Sequence, residues 1–166
     1  MKAIVLALLV MSAAEVALAQ PPRPASVAAS SQAASEEPAV LAAVDAFFAA
    51  VHDKSRERIA AFTLAEGLAT SIRPGSAGQQ PLVRSWHWAT YIENVLGGRG
   101  IWTERLFAPV VRVDGDIAMV WSRYELLVDG AFDHCGVDHF DMVRRGERWV
   151  IYNLTWTNVT AGCPGR

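Results

Sequence analysis

Residues 102–158 read WTERLFAPVVRVDGDIAMVWSRYELLVDGAFDHCGVDHFDMVRRGERWVIYNLTWTN. This stretch decides the fold. It divides into four runs rich in Val, Ile, Trp, Tyr and Phe, separated by Asp114-Gly115, Asp129-Gly130 and Arg145-Gly146. Asp-Gly between such runs is a strong hairpin signal, because Gly takes the positive φ that a tight turn requires. The expectation is a four-stranded antiparallel meander, and helical patterns precede it. A strongly curved sheet closed over helices encloses a hollow, so the predicted class is α+β: a cone-shaped fold, mostly antiparallel, with N-terminal helices packed into the sheet around a pocket.

Side chains alternate between the two faces of a sheet, so two-residue turns fix which residues share a face. On that assumption Met119, Trp121 and Arg123 lie with Asp138, Phe140 and Met142, and with Trp149, Ile151, Asn153 and Thr155. This set is apolar around Met142, Trp149 and Ile151 and polar around Arg123, Asp138 and Asn153. It fits a concave wall with a core end and an open end. The opposite set, which includes Ser122, Tyr124, His139, Tyr152, Leu154 and Trp156, fits an outer face, exposed or set against a second subunit. A slip of one residue in any pairing exchanges the faces.

Upstream, Val40, Val44, Phe47, Phe48 and Val51 recur at helical spacing and predict a helix over Pro38–His52. Asp53 or Ser55 caps a short helix reaching Phe62, Leu68–Ile72 reads as a short strand, and Arg73-Pro-Gly-Ser-Ala-Gly is a loop. Ser85 is expected to cap a third helix that ends before Gly97-Gly98, with Trp88, Tyr91, Ile92 and Val95 inward and His87 on a flanking face.

Residues 1–19 have the form of a secretory signal peptide: Lys2, an apolar run from Ala3 to Ala14, and the small-x-small cleavage site Ala17-Leu-Ala19. Residues 20–37 are Ala-, Ser- and Pro-rich and read as a disordered linker, leaving residues 38–166 as one domain. The expected location is periplasmic or secreted, with no stable membrane insertion after cleavage. The formal net charge of −2, with Lys and Arg scattered, argues against nucleic acid as a partner. Cys135 and Cys163 are the only cysteines. In an exported chain they suggest one disulfide, with free thiols or a metal pair as the competing readings. No metal, dinucleotide or P-loop motif occurs, and no cofactor is expected.

Helices followed by a bent meander resemble the nuclear-transport-factor-2-like superfamily over about Pro38–Cys163. The hairpin Val113-Asp-Gly-Asp-Ile-Ala-Met-Val-Trp121 is similar to that superfamily's central strands. His134-Cys-Gly-Val-Asp-His-Phe140, Val143-Arg144, Trp149 and Gly162-Cys-Pro164 resemble its bacterial SnoaL-like, or lumazine-binding, branch. The resemblance implies a fold that hosts isomerases, dehydratases, cyclases and hydrolases as well as members that only bind. By position it implies Asp138 as a wall carboxylate, with Tyr91 and His87 facing it from the third helix. The chain departs from an isomerase pattern in showing no second acid aligned with Asp138, while Arg123 on the neighbouring strand is expected to pair with it.

Two functions follow. The first is an exported domain binding a small, partly apolar ligand among Trp88, Trp121, Arg123, Asp138, Phe140 and Asn153. The second is a cofactor-independent isomerase, dehydratase or cyclase with Asp138 as base and Tyr91 or His87 as acid. A third reading is a homodimerising module whose hollow is filled by Trp88, Trp121 and Trp149; Trp86, Trp102 and Trp156 are then expected at an interface.

Overall fold

The computed structural model describes residues 27–163, with side chains from Glu36 onward. The signal-peptide segment and the first part of the linker lie outside the described residues. Helix α1 spans Val27–His52. It therefore begins eleven residues before the predicted start, in an Ala-rich stretch of high helix propensity, and Pro38 lies inside it. Helix α2 (Arg56–Ala61) follows, with the Ser55 side chain accepting from the Arg58 N–H as its N-cap. Next come β1 (Leu68–Arg73), β2 (Leu82–His87), α3 (Trp88–Gly97), β3 (Trp102–Asp114), β4 (Ile117–Val128), β5 (Ala131–Arg145) and β6 (Arg148–Thr157).

The six strands form one sheet in the order β2-β1-β6-β5-β4-β3, antiparallel throughout except where β1 runs parallel to β6. The four-strand meander is present as predicted. Strand β2 corrects the reading around Ser85. Residues 82–87 pair with β1, and α3 begins only at Trp88, with His87 rather than Ser85 at its N-cap.

Two bulges correct the predicted faces. At the β4–β5 turn Val128 faces Ala131 and Leu127 faces Phe132, but Leu126 then faces His134. Asp133 is the extra residue, and beyond it every pairing moves by one. Asp138 therefore sits opposite Ser122 rather than Trp121. A second bulge at Tyr152 places Leu154 opposite Phe140 and Trp156 opposite Asp138. The concave face consequently carries Val120, Ser122, Tyr124, Asp138, Phe140, Leu154 and Trp156. Trp121 and Arg123 turn outward and are exposed, and Trp121 packs on His139.

The core lies between α1, α3 and the concave face. Val40, Val44 and Phe47 of α1 are fully buried with Val95, Val120, Phe140 and Ile151. Phe47 meets Trp88 and Phe140 edge-on, and Phe48 also packs on Phe140. These rings fill one end of the hollow. Trp149 is buried there as well, donating through Nε1 to Glu36 at 3.2 Å, with the Arg144 guanidinium 4.5 Å over its ring.

Cys135 and Cys163 form a disulfide with a Cα–Cα distance of 5.9 Å. The tail also pairs by backbone, Val159 exchanging hydrogen bonds with Cys135 at 2.9 Å each way. No helix among the described residues is long and apolar enough to cross a membrane.

Candidate functional site

At the end of the hollow away from the Phe47 cluster, the concave face and α3 enclose a cavity of about 390 Å³, within the range common for small-molecule sites. Its apolar wall is made by Trp102, Leu126, Val128, Leu154 and Trp156, and its polar lining includes Tyr91, Tyr124, Glu104 and Asp138. Trp156 is held in place by Trp86, stacked at 6.1 Å, and by Tyr91, edge-on at 6.2 Å. Trp102 and Trp156, for which an interface role was expected, line this cavity.

Asp138 is 1% exposed, and its Oδ2 has no hydrogen-bond partner. Its carboxyl is set against that of Glu104 of β3. Two carboxyl groups so placed favour one proton between them over two charges. Burial pushes the Asp138 carboxyl well above its ordinary range, and the neighbouring Glu104 charge pushes it further the same way. Burial also raises Glu104, to about 7, against a smaller opposing contribution from Asp138. Asp138 is the more enclosed of the two and keeps the proton. Glu104, which retains some exposure, is the member that ionises near neutrality.

Glu104 is the second acid that the sequence reading did not find. Its signal was present. Trp102, Glu104 and Leu106 share one face of β3, so a lone carboxylate interrupts an otherwise apolar face. The expected Asp138–Arg123 pair does not form, because the Asp133 bulge leaves Asp138 on the concave face opposite Ser122 and puts Arg123 on the outer face, in register with Val137.

Two phenols border the pair. Tyr91 from α3 lines the cavity and is nearly buried. Burial holds its hydroxyl well above the ordinary phenol range, and the charges of Glu104 and Asp138 add to this. The Tyr124 phenol is raised by the same causes, and its hydroxyl donates to Thr157 O at 2.8 Å. Both are hydrogen-bond donors across the physiological range. His134, itself buried, lies edge-on to the Tyr124 ring, and its Nδ1 is 2.6 Å from Asp133 Oδ2.

The structure thus brings Asp138 and Tyr91 together and leaves the other predicted site residues elsewhere. His87 is exposed at the end of β2 and does not reach the cavity, since the helix starts one residue after it. Trp88 and Phe140 are core residues, and Trp88 Nε1 donates to Tyr152 O at 2.9 Å. Displaced by the Tyr152 bulge, Asn153 donates to Asp141 at 3.1 Å and accepts from the Leu68 N–H at 3.0 Å. Among the described residues no cluster of His, Cys, Asp and Glu is arranged to hold a metal ion.

No family model matches the chain, and no curated protein does. Solved structures do. A candidate dehydratase of the NTF2-like (nuclear-transport-factor-2-like) family from Streptomyces avermitilis superposes with a TM-score of 0.59 at 18% identity, over 77% of this chain and 99% of that one. The beta subunit of a candidate aromatic-ring-hydroxylating dioxygenase from Novosphingobium aromaticivorans gives 0.63 at 14% identity, over 76% and 91%. An NTF2-like protein from Cytophaga hutchinsonii gives 0.59 at 13% identity, over 75% and 98%. At these identities the likeness is one of fold, and the fold is NTF2-like.

Proposed function

We propose that this NTF2-like domain binds a small, partly apolar molecule in its cavity and moves a proton on it without a cofactor, as an isomerase or dehydratase does. The observation carrying this reading is the Asp138–Glu104 carboxyl pair, two adjoining acids lining an otherwise largely apolar cavity. A general base works best with a pKa near the operating pH, and Glu104, raised to about 7, meets that condition. Glu104 takes a proton from the ligand. Asp138, already protonated and set against Glu104, disperses the proton gained by the pair. The Tyr91 hydroxyl donates to the oxygen on which negative charge develops. The base role expected of Asp138 thereby passes to Glu104, and of the two expected acids, Tyr91 and His87, Tyr91 is the donor. The disulfide supports the further proposal that the domain works in an oxidising, exported compartment.

The test uses 2-tetralone, a flat ketone with exchangeable α-hydrogens. In D2O near pH 7 the protein should accelerate α-deuteration, followed by NMR. Glu104→Gln should lower that rate by about 10²–10⁴, the usual worth of a positioned base, and Tyr91→Phe should lower it less. Binding of 2-tetralone with no acceleration would reduce the domain to a binding protein. Neither binding nor exchange would end the pocket reading.

A further inference from the structure

The rim of the cavity is built differently from its interior. Of the lining residues, Arg99 and Asp133 are exposed and Ser71 and Asn158 partly so, which marks the rim, and Arg99 is the one cationic Lys or Arg side chain among the lining residues. Asp133 is turned to His134 at 2.6 Å. Arg56, Arg58, Arg105 and Arg144 are each ion-paired with an acid, whereas the Arg99 guanidinium takes part in no ion pair among the described residues; what sets it apart from the other unpaired arginines is its place in the cavity lining.

The segment carrying Arg99 is tied down from three sides. Lys54 Nζ donates to Gly98 O, and Trp102 Nε1 donates to the carbonyl of Arg99 itself at 3.0 Å. Asp129 accepts from the Ile101 N–H at 2.8 Å through Oδ1 and donates its own N–H to Ile101 O at 2.9 Å. Both flanking glycines are sites where a side chain does not fit. A Cβ at position 98 would lie 2.7 Å from the Trp102 ring, and one at position 100 would lie 2.5 Å from Asp129 Oδ2 at a φ of +66°. The Gly98-Arg99-Gly100 loop thus presents one long cation at the cavity edge from a fixed backbone. Holding the binding group on a fixed backbone lowers the ordering cost of binding.

The two ends of the cavity therefore ask for opposite things. At the inner end an anion would meet the carboxyl pair in an apolar surround, where burying a further charge is costly. At the rim an anion meets a guanidinium suited to bidentate carboxylate recognition and still in contact with water. We propose that the ligand is a small amphiphilic acid: a flat apolar body lying between Trp102, Tyr124 and Trp156, a neutral oxygen at the Glu104–Asp138 end, and a carboxylate held by Arg99. This rests on the cavity being a small-molecule site and assigns its substrate class.

The probes are 2-naphthol, which carries only the inner oxygen, and 6-hydroxy-2-naphthoate, which adds a carboxylate at the far end of the same rings. Fluorescence titration at low ionic strength gives both dissociation constants. The naphthoate should bind about tenfold more tightly, the worth of one partly solvated charge-assisted bond. In Arg99→Gln the ratio of the two constants should fall to about one, and Arg99→Lys should keep part of it. Raising salt to 0.5 M should shrink the ratio in the wild type and leave it flat in Arg99→Gln. Binding of 2-naphthol with a ratio that Arg99→Gln does not change overturns the Arg99 assignment and leaves the pocket standing. Failure of both probes to bind the wild type overturns the pocket reading, and this inference with it.

Discussion

The shared proton of Asp138 and Glu104 has a consequence for stability as well as for chemistry. Both carboxyls are raised in the folded protein, Glu104 from 4.5 to about 7 and Asp138 well above 3.8. The folded state therefore holds more protons than the unfolded chain between these values. The stability contributed by the pair is fully present below the unfolded carboxyl range and is lost as pH rises through about 7. Glu104→Gln keeps the shape and removes the titration. Its melting temperature relative to wild type should therefore climb between pH 4.5 and pH 7.5, as seen by circular dichroism; a difference independent of pH contradicts the pair. Asp138 and Tyr91 were legible as inward-facing polar residues, because a lone acid and a phenol interrupt apolar patterns. Glu104 carried the same signal on Trp102-Thr-Glu-Arg-Leu106, but β3 was read only as part of the meander. Arg99 gave no signal in sequence, since its position depends on where Trp102 and Asp129 anchor the loop.

At the scale of elements, the hairpin turns were legible and the faces were not. Asp129 and Gly130 both have positive φ, at 52° and 79°, which is the demand that Asp-Gly answers. A bulge has no comparable residue signature. Asp133 and Tyr152 are ordinary strand residues, yet they decide that Ser122 and Tyr124 rather than Trp121 and Arg123, and Leu154 and Trp156 rather than Asn153 and Thr155, share the face of Asp138. Strand β2 was hidden for a different reason. Its residues are mostly exposed, and pairing with β1, not its own pattern, makes it a strand. Between the two bulges β5 and β6 approach closely at Gly136, where a Cβ would stand 2.0 Å from Thr157 O. Thr157 O accepts the Tyr124 hydroxyl, and Thr157 Oγ1 accepts the Val137 N–H at 2.9 Å. Gly136→Ala should push the strands apart and break both bonds, at a cost of about 2–4 kcal/mol by urea unfolding. It should also weaken probe binding. A variant as stable as wild type would contradict the close approach.

The whole molecule is a half-filled cone. Aromatic and aliphatic side chains from α1 and α3 close one end, and the other end stays open as the cavity. The tail completes the rim: Asn158 lines it, and Val159 and Cys163 fasten that segment to β5. The disulfide joins residues 28 apart in sequence. Its removal in a Cys135→Ser, Cys163→Ser variant should cost about 3–4 kcal/mol from loop entropy and loosen the rim more than the core, visible as faster hydrogen exchange at Val159 than at Val120. Uniform exchange across both would count against the tail as part of the site. Fold class was readable at this scale because hairpins and helical stripes are local, whereas the site was readable only in part because it is assembled from β1, α3, β3, β4, β5 and β6 at once. The account stands or falls on whether two carboxyls share a proton in that cavity. Carbon-13 NMR of side-chain carboxyls in Asp- and Glu-labelled protein, titrated from pH 3 to pH 9 and assigned with Asp138→Asn and Glu104→Gln, measures it directly. The account predicts Glu104 titrating near pH 7 and Asp138 still protonated above it. Both carboxyls ionising below pH 5 would contradict it.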